Sequence, residues 1–258
     1  MELCVLASGS KGNCIYVSGG GTSLLVDVGL SAREVVSRLQ AVGVAPESIQ
    51  AVLFTHDHVD HFRGVEVFSR KYPVRLFANE GTSSGIEQNC PKLSCCWEIF
   101  ETSSAFEIGG LQVEAFSVPH DASDPVGFVF DDGESRLAVA TDLGQATPLI
   151  RSKLAQCRAV VLESNHDYDM LMQSSRAWPL KMRIAGRSGH LSNADAAELM
   201  RSALSAQLQT LLLAHLSEEC NTPALAFNVM RQMLREANRL DVRLEVASQS
   251  AASARFVI

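Results

Sequence analysis

Short apolar runs alternate with amphipathic segments along the whole chain. Ten runs of four to eight residues have the length and pattern of buried or half-buried strands. They cover residues 3–7, 14–17, 23–26, 51–54, 74–78, 111–118, 126–130, 137–140, 159–162 and 210–214, and a last strand is predicted at 243–247.

Three segments carry signals that start a helix. Ser31 followed by Glu34 forms a capping box, and Ser192 is a candidate N-cap before an acidic first turn. Asn221 and Thr222 precede a proline, which suits the first helical position, and this last helix is predicted at about 223–238. Its apolar stripe is typical of core packing. Strands and helices mixed throughout predict an α/β layered fold.

Composition narrows the class of protein. The chain has 258 residues, of which 47% are hydrophobic and 20% charged, so wholesale disorder is excluded. Because no linker, repeat or low-complexity tract interrupts the pattern, we predict one domain over residues 1–258. No apolar run has the length of a membrane span, and no signal peptide is recognisable at the start. We therefore expect no membrane partner.

Charge and cysteine content add two constraints. A net charge of −7 argues against a general nucleic-acid coating protein, but a nuclease needs only local positive charge, which metal ions can supply. Seven cysteines without a C-x-x-C pair favour reduced thiols in the cytoplasm. Trp97, Phe100 and Trp178 could stack on bases, although core packing is the better default for each.

The densest chemistry lies in AVLFTHDHVDHFRG, where a predicted strand leads into closely spaced metal ligands. This segment holds His56, His58, Asp60 and His61, an H-x-H-x-D-H string. Histidine nitrogens and carboxylate oxygens bind zinc, manganese or iron. His56 and His58 can point to one side of an extended segment, while Asp60 and His61 could serve a second ion. A solvated polar loop is the weaker alternative, because three histidines and two aspartates fall within six residues.

Further polar side chains directly follow other predicted strands. They are His120, Asp142, Glu163 and His215. The carboxyl ends of strands are where an α/β fold gathers a site. Each alone is readily explained as an edge residue, but with the histidine string they form a set.

This ordered set resembles the metallo-β-lactamase superfamily across nearly the whole chain. The resemblance implies an αββα sandwich with two divalent metal ions, Zn²⁺ or Mn²⁺, with iron as a further option. It assigns the first ion to His56, His58 and His120. It assigns the second ion to Asp60, His61 and His215, with Asp142 bridging the two.

A separate pair of residues favours phosphodiester chemistry. His190 lies just before the helix predicted to start at Ser192, and a helix N-terminus is a good place for a phosphate. A histidine there can protonate a leaving alkoxide, with Glu163 orienting it and raising its pKa. The pair resembles the Glu/His pair of ribonuclease Z and related phosphodiesterases. The alternative is a helix-capping histidine without chemistry.

Two segments are candidates for binding the substrate. Lys181, Arg183 and Arg187 form a basic cluster that could hold a phosphate backbone, or a solvated face that binds nothing. Ser10 and Asn13 lie in LASGSKGNC, a turn whose small residues allow a ligand to approach. This turn, with THDHVDH, ESNHD, GHLSN and AHLSEECNTP in that order, resembles the WalJ (YycJ-like) subgroup of the superfamily.

The subgroup resemblance implies a metal-dependent exonuclease that degrades single-stranded DNA from 5′ to 3′, with a role in DNA repair. In the implied mechanism a hydroxide held by two metal ions attacks the phosphate, with Asp60 among the catalytic residues, and His190 protonates the departing oxygen.

RNA or a small phosphodiester is an alternative substrate. A thioester or lactone hydrolase would need neither His190 nor the basic cluster. A mononuclear iron dioxygenase is a further alternative, which bound iron and oxygen consumption would reveal. A nucleic-acid-binding module with a vestigial site is least supported, because idle buried charges are costly. His166 and Asp167 are interpreted equally well as residues that support the site or contact the substrate, or as a surface turn.

Overall fold

A computed structural model describes residues 1–258, which form two seven-stranded sheets and nine α-helices. The strands are β1 (Glu2–Ala7), β2 (Cys14–Gly19), β3 (Thr22–Val26), β4 (Ala51–Leu53), β5 (Arg75–Ala78), β6 (Trp97–Ile99), β7 (Ala105–Ile108), β8 (Leu111–Ser117), β9 (Val126–Asp131), β10 (Arg136–Ala140), β11 (Ala159–Glu163), β12 (Thr210–Ala214), β13 (Arg243–Val246) and β14 (Phe256–Val257). The helices are α1 (Ala32–Ala41), α2 (Val59–Phe62), α3 (Val65–Lys71), α4 (Glu80–Asn89), α5 (Pro148–Leu154), α6 (Tyr168–Gln173), α7 (Trp178–Ile184), α8 (Asn193–Ala203) and α9 (Pro223–Glu236).

The two sheets have matching topologies. The first has the order β14-β1-β2-β3-β4-β5-β6 and the second β13-β12-β11-β10-β9-β8-β7. In each sheet four consecutive strands run parallel, β3 to β6 and β10 to β13, and the remaining pairs are antiparallel. Parallel neighbours point their carboxyl ends to the same edge. The loops that leave those ends can therefore build one site from both sheets.

Three apolar layers hold the sandwich together. Side chains from both sheets meet in the middle layer, and each outer sheet face packs on helices. Along β12, Leu212 and Ala214 point between the sheets, whereas Leu211 and Leu213 pack against helices. Because a strand buried on both faces needs apolar residues at every position, its sequence is a continuous apolar run. The predicted αββα sandwich is confirmed.

All eleven predicted strands are present, with ends shifted by at most two residues. The capping box of Ser31 and Glu34 is formed, and Ser192 caps α8. Thr222, rather than Asn221, caps α9 by accepting from the Leu225 N–H. The short strands β6, β7 and β14 were not predicted, because edge strands with exposed positions lack a continuous apolar pattern. No helix has the length and apolarity that crossing a bilayer requires.

Candidate metal centre

The candidate ligands lie at the carboxyl ends of strands from both sheets. His56 and His58 follow β4, and Asp60 and His61 lie on α2. His120, Asp142 and His215 come after β8, β10 and β12, and Glu163 is the last residue of β11. The structure thus brings residues that are up to 159 positions apart, His56 and His215, to one place.

Donor atoms of these residues converge in overlapping groups. One group joins His56, His58 and His120, and another joins Asp60, His61 and His215. Asp142 belongs to two further groups, one with His56 and His61 and one with Glu163, His190 and His215. In each group the donor atoms lie within 4.8 Å of one another. Asp142 therefore lies between the two triads.

Several donor atoms at this site have no partner within the protein. His56 Nε2, Asp142 Oδ2 and His215 Nε2 are buried and make no hydrogen bond. A buried polar atom without a partner costs about 1–3 kcal/mol, so native proteins rarely keep three together. Divalent cations would satisfy all three lone pairs. The donor set of imidazole nitrogen and carboxylate oxygen fits such cations.

The distance between two histidine nitrogens also supports metal binding. His58 Nδ1 lies 3.3 Å from His120 Nε2. Two nitrogens that bind one tetrahedral zinc ion at about 2.0–2.1 Å lie about 3.3 Å apart. The spacing of the two rings is therefore that of two ligands of a common ion.

The opposite ring nitrogen of most of these histidines is held by the protein. His61 Nδ1 donates to Asp27 Oδ2 at 2.8 Å, and His120 Nδ1 donates to the Gly189 carbonyl at 3.0 Å. His56 Nδ1 lies 3.0 Å from the Thr55 hydroxyl, which itself donates to Asp27. Fixing Nδ1 as the protonated nitrogen leaves Nε2 with its lone pair for a metal.

Asp27 was missed by the sequence analysis. It directly follows β3, so the rule that identified Asp142 and His215 would also have found it. It is buried and accepts hydrogen bonds from Thr55 as well as from His61. Burial lowers the pKa of His61, but Asp27 and then Asp142 outweigh that effect and raise this pKa to about 9.

Glu163 connects His190 to the ligand cluster. Its Oε1 accepts from His190 Nδ1 at 2.7 Å and from His215 Nδ1 at 2.9 Å. Its Oε2 accepts from the backbone N–H groups of Leu143 and Leu191, at 2.9 and 3.2 Å. Although burial raises the pKa of Glu163, His190 and His215 hold it well below its ordinary value. Burial lowers the pKa of His190, but the Glu163 carboxylate raises it overall.

A cavity of about 280 Å³ opens onto this cluster. Several candidate ligands reach it, namely His58, Asp60, Asp142 and His215, together with His190. The remainder of the wall is mostly polar: Ser10, Asp121, Asn165, Arg176, Leu180, Arg183, Ile184, Gly189, Leu216 and Ser217. The cavity therefore suits a polar or charged ligand.

Of the five predicted substrate-binding residues, the structure places two on the wall of the cavity. Ser10 and Arg183 line the cavity, whereas Arg187 is exposed outside its wall. Lys181 is buried, and its ammonium donates to the Met172 carbonyl at 2.6 Å. Asn13 is buried, and its amide donates to the Gly9 carbonyl at 3.2 Å. Both groups are thus occupied by the protein itself.

The structure also shows the surroundings of four further residues. Core packing is correct for Phe100, but wrong for Trp178, whose exposed fraction is 63%. His166 is buried below the site, and Asp167 caps α6 by accepting from the Met170 N–H at 2.9 Å. Both residues therefore support the loop after Glu163.

The chain matches one protein-family model and is similar to exodeoxyribonucleases over most of its length. Residues 22–216 match the family model of the β-lactamase superfamily domain. The chain is 37% identical to exodeoxyribonuclease WalJ of Streptococcus pneumoniae over 237 residues, which cover 91% of this chain and 88% of that protein. It is 34% identical to exodeoxyribonuclease YycJ of Bacillus anthracis, over 92% of this chain and 90% of that protein.

Solved structures show the same fold at low sequence identity. The metallo-β-lactamase fold protein YhfI of Bacillus subtilis aligns with a TM-score of 0.73 at 14% identity, over 98% of both chains. Zn²⁺-bound PqqB of Methylobacterium extorquens also has a TM-score of 0.73, at 18% identity over 100% of both chains. These two likenesses concern the fold alone.

Proposed function

The chain belongs to the metallo-β-lactamase superfamily, and we propose that it is a metal-dependent exodeoxyribonuclease that degrades single-stranded DNA from the 5′ end. The observation that carries the proposal is the Glu163–His190 pair, which lies beside the ligand cluster with His190 on the wall of the cavity. A thioester releases a weakly basic thiolate that needs no such proton donor, whereas the departing alkoxide of a phosphodiester does.

We assign two divalent ions, Zn²⁺ or Mn²⁺, to the cluster. His56, His58 and His120 would hold one, and Asp60, His61 and His215 the other, with Asp142 shared between them. Such ions would supply Lewis-acid stabilisation of a phosphoryl oxygen and lower the pKa of a bound water. Their positive charge also explains how an acidic protein with a net charge of −7 could attract DNA.

His190 is assigned as the proton donor. Its Nδ1 is committed to Glu163, so Nε2 is the ring nitrogen free to face a substrate. Its side chain is 22% exposed, whereas Glu163 is fully buried, so the histidine meets the cavity and the carboxylate does not. Glu163 stays ionised, keeps His190 protonated and fixes its ring plane, which makes Glu163 a positioning residue.

The direct test follows degradation of single-stranded DNA labelled at either end, with Mn²⁺, with Zn²⁺ and with chelator. We expect metal-dependent release of mononucleotides from the 5′ label, and none with chelator. Single-stranded RNA of the same sequence and duplex DNA serve as comparison substrates. If a fully metallated protein cleaves no DNA, the proposed function is wrong. Cytoplasmic location and a role in DNA repair stay predictions from the sequence.

A further inference from the structure

Two arginines line the cavity that contains the candidate ligands and His190. We propose that Arg176 and Arg183 form a clamp for a terminal phosphomonoester, so that the enzyme selects DNA ends that carry a 5′-phosphate. This inference rests on the proposed exonuclease function and adds to it a requirement about the chemistry of the strand end.

Each of the two guanidinium groups is anchored by one nitrogen only. Arg183 Nε donates to Asp121 Oδ2, and Arg176 Nε donates to Glu219 Oε2 at 3.0 Å. Neither arginine makes another hydrogen bond, so both of its terminal NH₂ groups lack a protein partner. By contrast, Arg239 uses all three nitrogens, and Arg75 binds Glu98 through two.

This arrangement leaves the fork of each guanidinium free for a ligand. The two terminal NH₂ groups of an arginine form the planar, bidentate edge that matches phosphate oxygens. A carboxylate on Nε fixes the plane of the group without occupying that edge. The anchors therefore orient the two arginines at little cost to their capacity for a ligand.

The anchors also tie the clamp to the proposed metal centre. Asp121 follows His120 directly, and its Oδ1 lies 3.6 Å from His120 Nε2. Glu219 lies four residues after His215. The segment that bears the arginines is fixed by the buried Ile184, which packs on Leu171 and Cys220. A phosphate on the clamp would thus lie next to a phosphodiester at the ligand cluster.

Charge decides which phosphate fits. A phosphomonoester carries about −1.5 to −2 charges near pH 7 and has three strong acceptor oxygens. A diester within the strand carries one charge and offers two non-bridging oxygens. Two guanidinium groups with four unused NH₂ groups match the monoester better. A strand has a monoester only at its end, and 280 Å³ is a small volume for a ligand pocket, which suits one terminal unit.

The kinetic test uses the full-length protein with Mn²⁺ and one oligodeoxynucleotide in three forms, with a 5′-phosphate, a 5′-hydroxyl or a 3′-phosphate. We expect kcat/KM to be about tenfold or more higher for the 5′-phosphate, the ratio typical of charge-assisted bonds. Arg176→Gln and Arg183→Gln should each bring that ratio towards one, mainly through KM. Arg201→Gln is the matched control, because Arg201 is also exposed and paired with a glutamate, but lies outside the cavity wall, and its ratio should stay as in the wild type.

A binding arm separates the clamp from catalysis. With chelator present, fluorescence anisotropy should show tighter binding of the 5′-phosphorylated oligonucleotide than of the 5′-hydroxyl form, and the two glutamine variants should lose the difference. Equal rates on both ends by an enzyme that does degrade DNA would overturn the clamp and leave the exonuclease function standing. A preference that survives in both variants would also overturn it. No DNA cleavage with metal ions present would refute the proposed function, while the binding arm would still decide on the clamp.

Discussion

Replacing Glu163 by glutamine perturbs two histidines through one oxygen atom. The carboxylate accepts four hydrogen bonds, from two backbone N–H groups and from Nδ1 of His190 and of His215. A glutamine of the same shape has one oxygen that can accept two of them, and its NH₂ group would then face the other two donors. One of the two pairs, the histidines or the backbone groups, must lose its acceptor.

The number of lost hydrogen bonds sets the expected loss of folding stability. A hydrogen bond to a charged group contributes about 1.5–3 kcal/mol net, so the loss of two costs about 3–6 kcal/mol. That is a large part of the 5–15 kcal/mol, approximately, by which a domain is stable. For a chain of this size the melting temperature should fall by on the order of 10 °C. If the NH₂ group takes the position of Oε1, His215 loses the partner that orients it, and metal affinity should fall about 10–100-fold.

Calorimetric metal titration, thermal unfolding and turnover on labelled DNA measure the three consequences. His190→Ala is the informative comparison, because it removes only one of the two histidines that Glu163 holds and leaves His215 in place. If Glu163→Gln binds metal ions as tightly as the wild type, the glutamine oxygen still accepts from the two histidines and only the backbone groups have lost their acceptor. If it also unfolds at the wild-type temperature, the hydrogen-bond count itself is wrong.

Further predictions concern the same site. His190→Ala should lower turnover about 10²–10⁴-fold while metal content, measured by elemental analysis, stays intact, and full turnover would remove His190 as the acid. Protonated His190 is present below its pKa, so turnover should fall as pH rises through that pKa. Because Glu163 raises this pKa, Glu163→Gln should move the descending limb of the pH–rate profile to lower pH, and an unmoved limb would contradict the assignment. Asp27→Ala should weaken metal binding about 10–100-fold in a metal titration, since His61 loses its acceptor. Chelator should lower the melting temperature of the wild type, because it removes the ions that we assign to three unpartnered atoms, and an unchanged temperature would contradict that assignment.

Local pattern was sufficient to predict most of the fold. Central strands such as β11 and β12 are nearly continuous apolar runs because each is buried on both faces, so their sequences alone indicate a strand. Edge strands such as β6 and β14 are short and half-exposed, so their sequences carry no comparable signal. Caps were predictable where a side chain bonds within its own turn, as Ser31 does with Glu34.

Candidate site residues were predictable where they follow a strand, but not where their role depends on a helix turn. His120 and Asp142 follow strands of the second sheet and Glu163 ends one, so one positional rule finds them. The basic cluster illustrates the opposite case, because Lys181 and Arg183 are close in sequence yet point to different environments on α7. Arg176 has no basic neighbour in sequence, and only the folded chain places it with Arg183 on the wall of one cavity.

The turn at residues 8–13 helps to hold two of the candidate metal ligands in place. Asp142 and His215 both have left-handed backbones, with φ of 56° and 55°, a conformation that costs about 1–3 kcal/mol for a non-glycine residue. Such a conformation persists only where the surroundings impose it. Ser8 Oγ accepts from the His215 N–H at 2.7 Å, and the Asn165 amide donates to the His215 carbonyl at 2.8 Å.

The same turn reaches the other triad through Asn13. Its amide nitrogen lies 3.0 Å from His61 Nε2, the atom assigned to a metal ion, and its Oδ1 accepts from the Gly9 N–H at 2.8 Å, which closes the turn. The turn from Ser8 to Asn13 therefore contacts both His61, on α2, and His215, which follows β12. Small residues in this turn serve close packing of backbone: a Cβ at Gly12 would lie 2.6 Å from the Gly29 carbonyl oxygen. Such packing explains why glycine is needed there whether or not a substrate touches the turn.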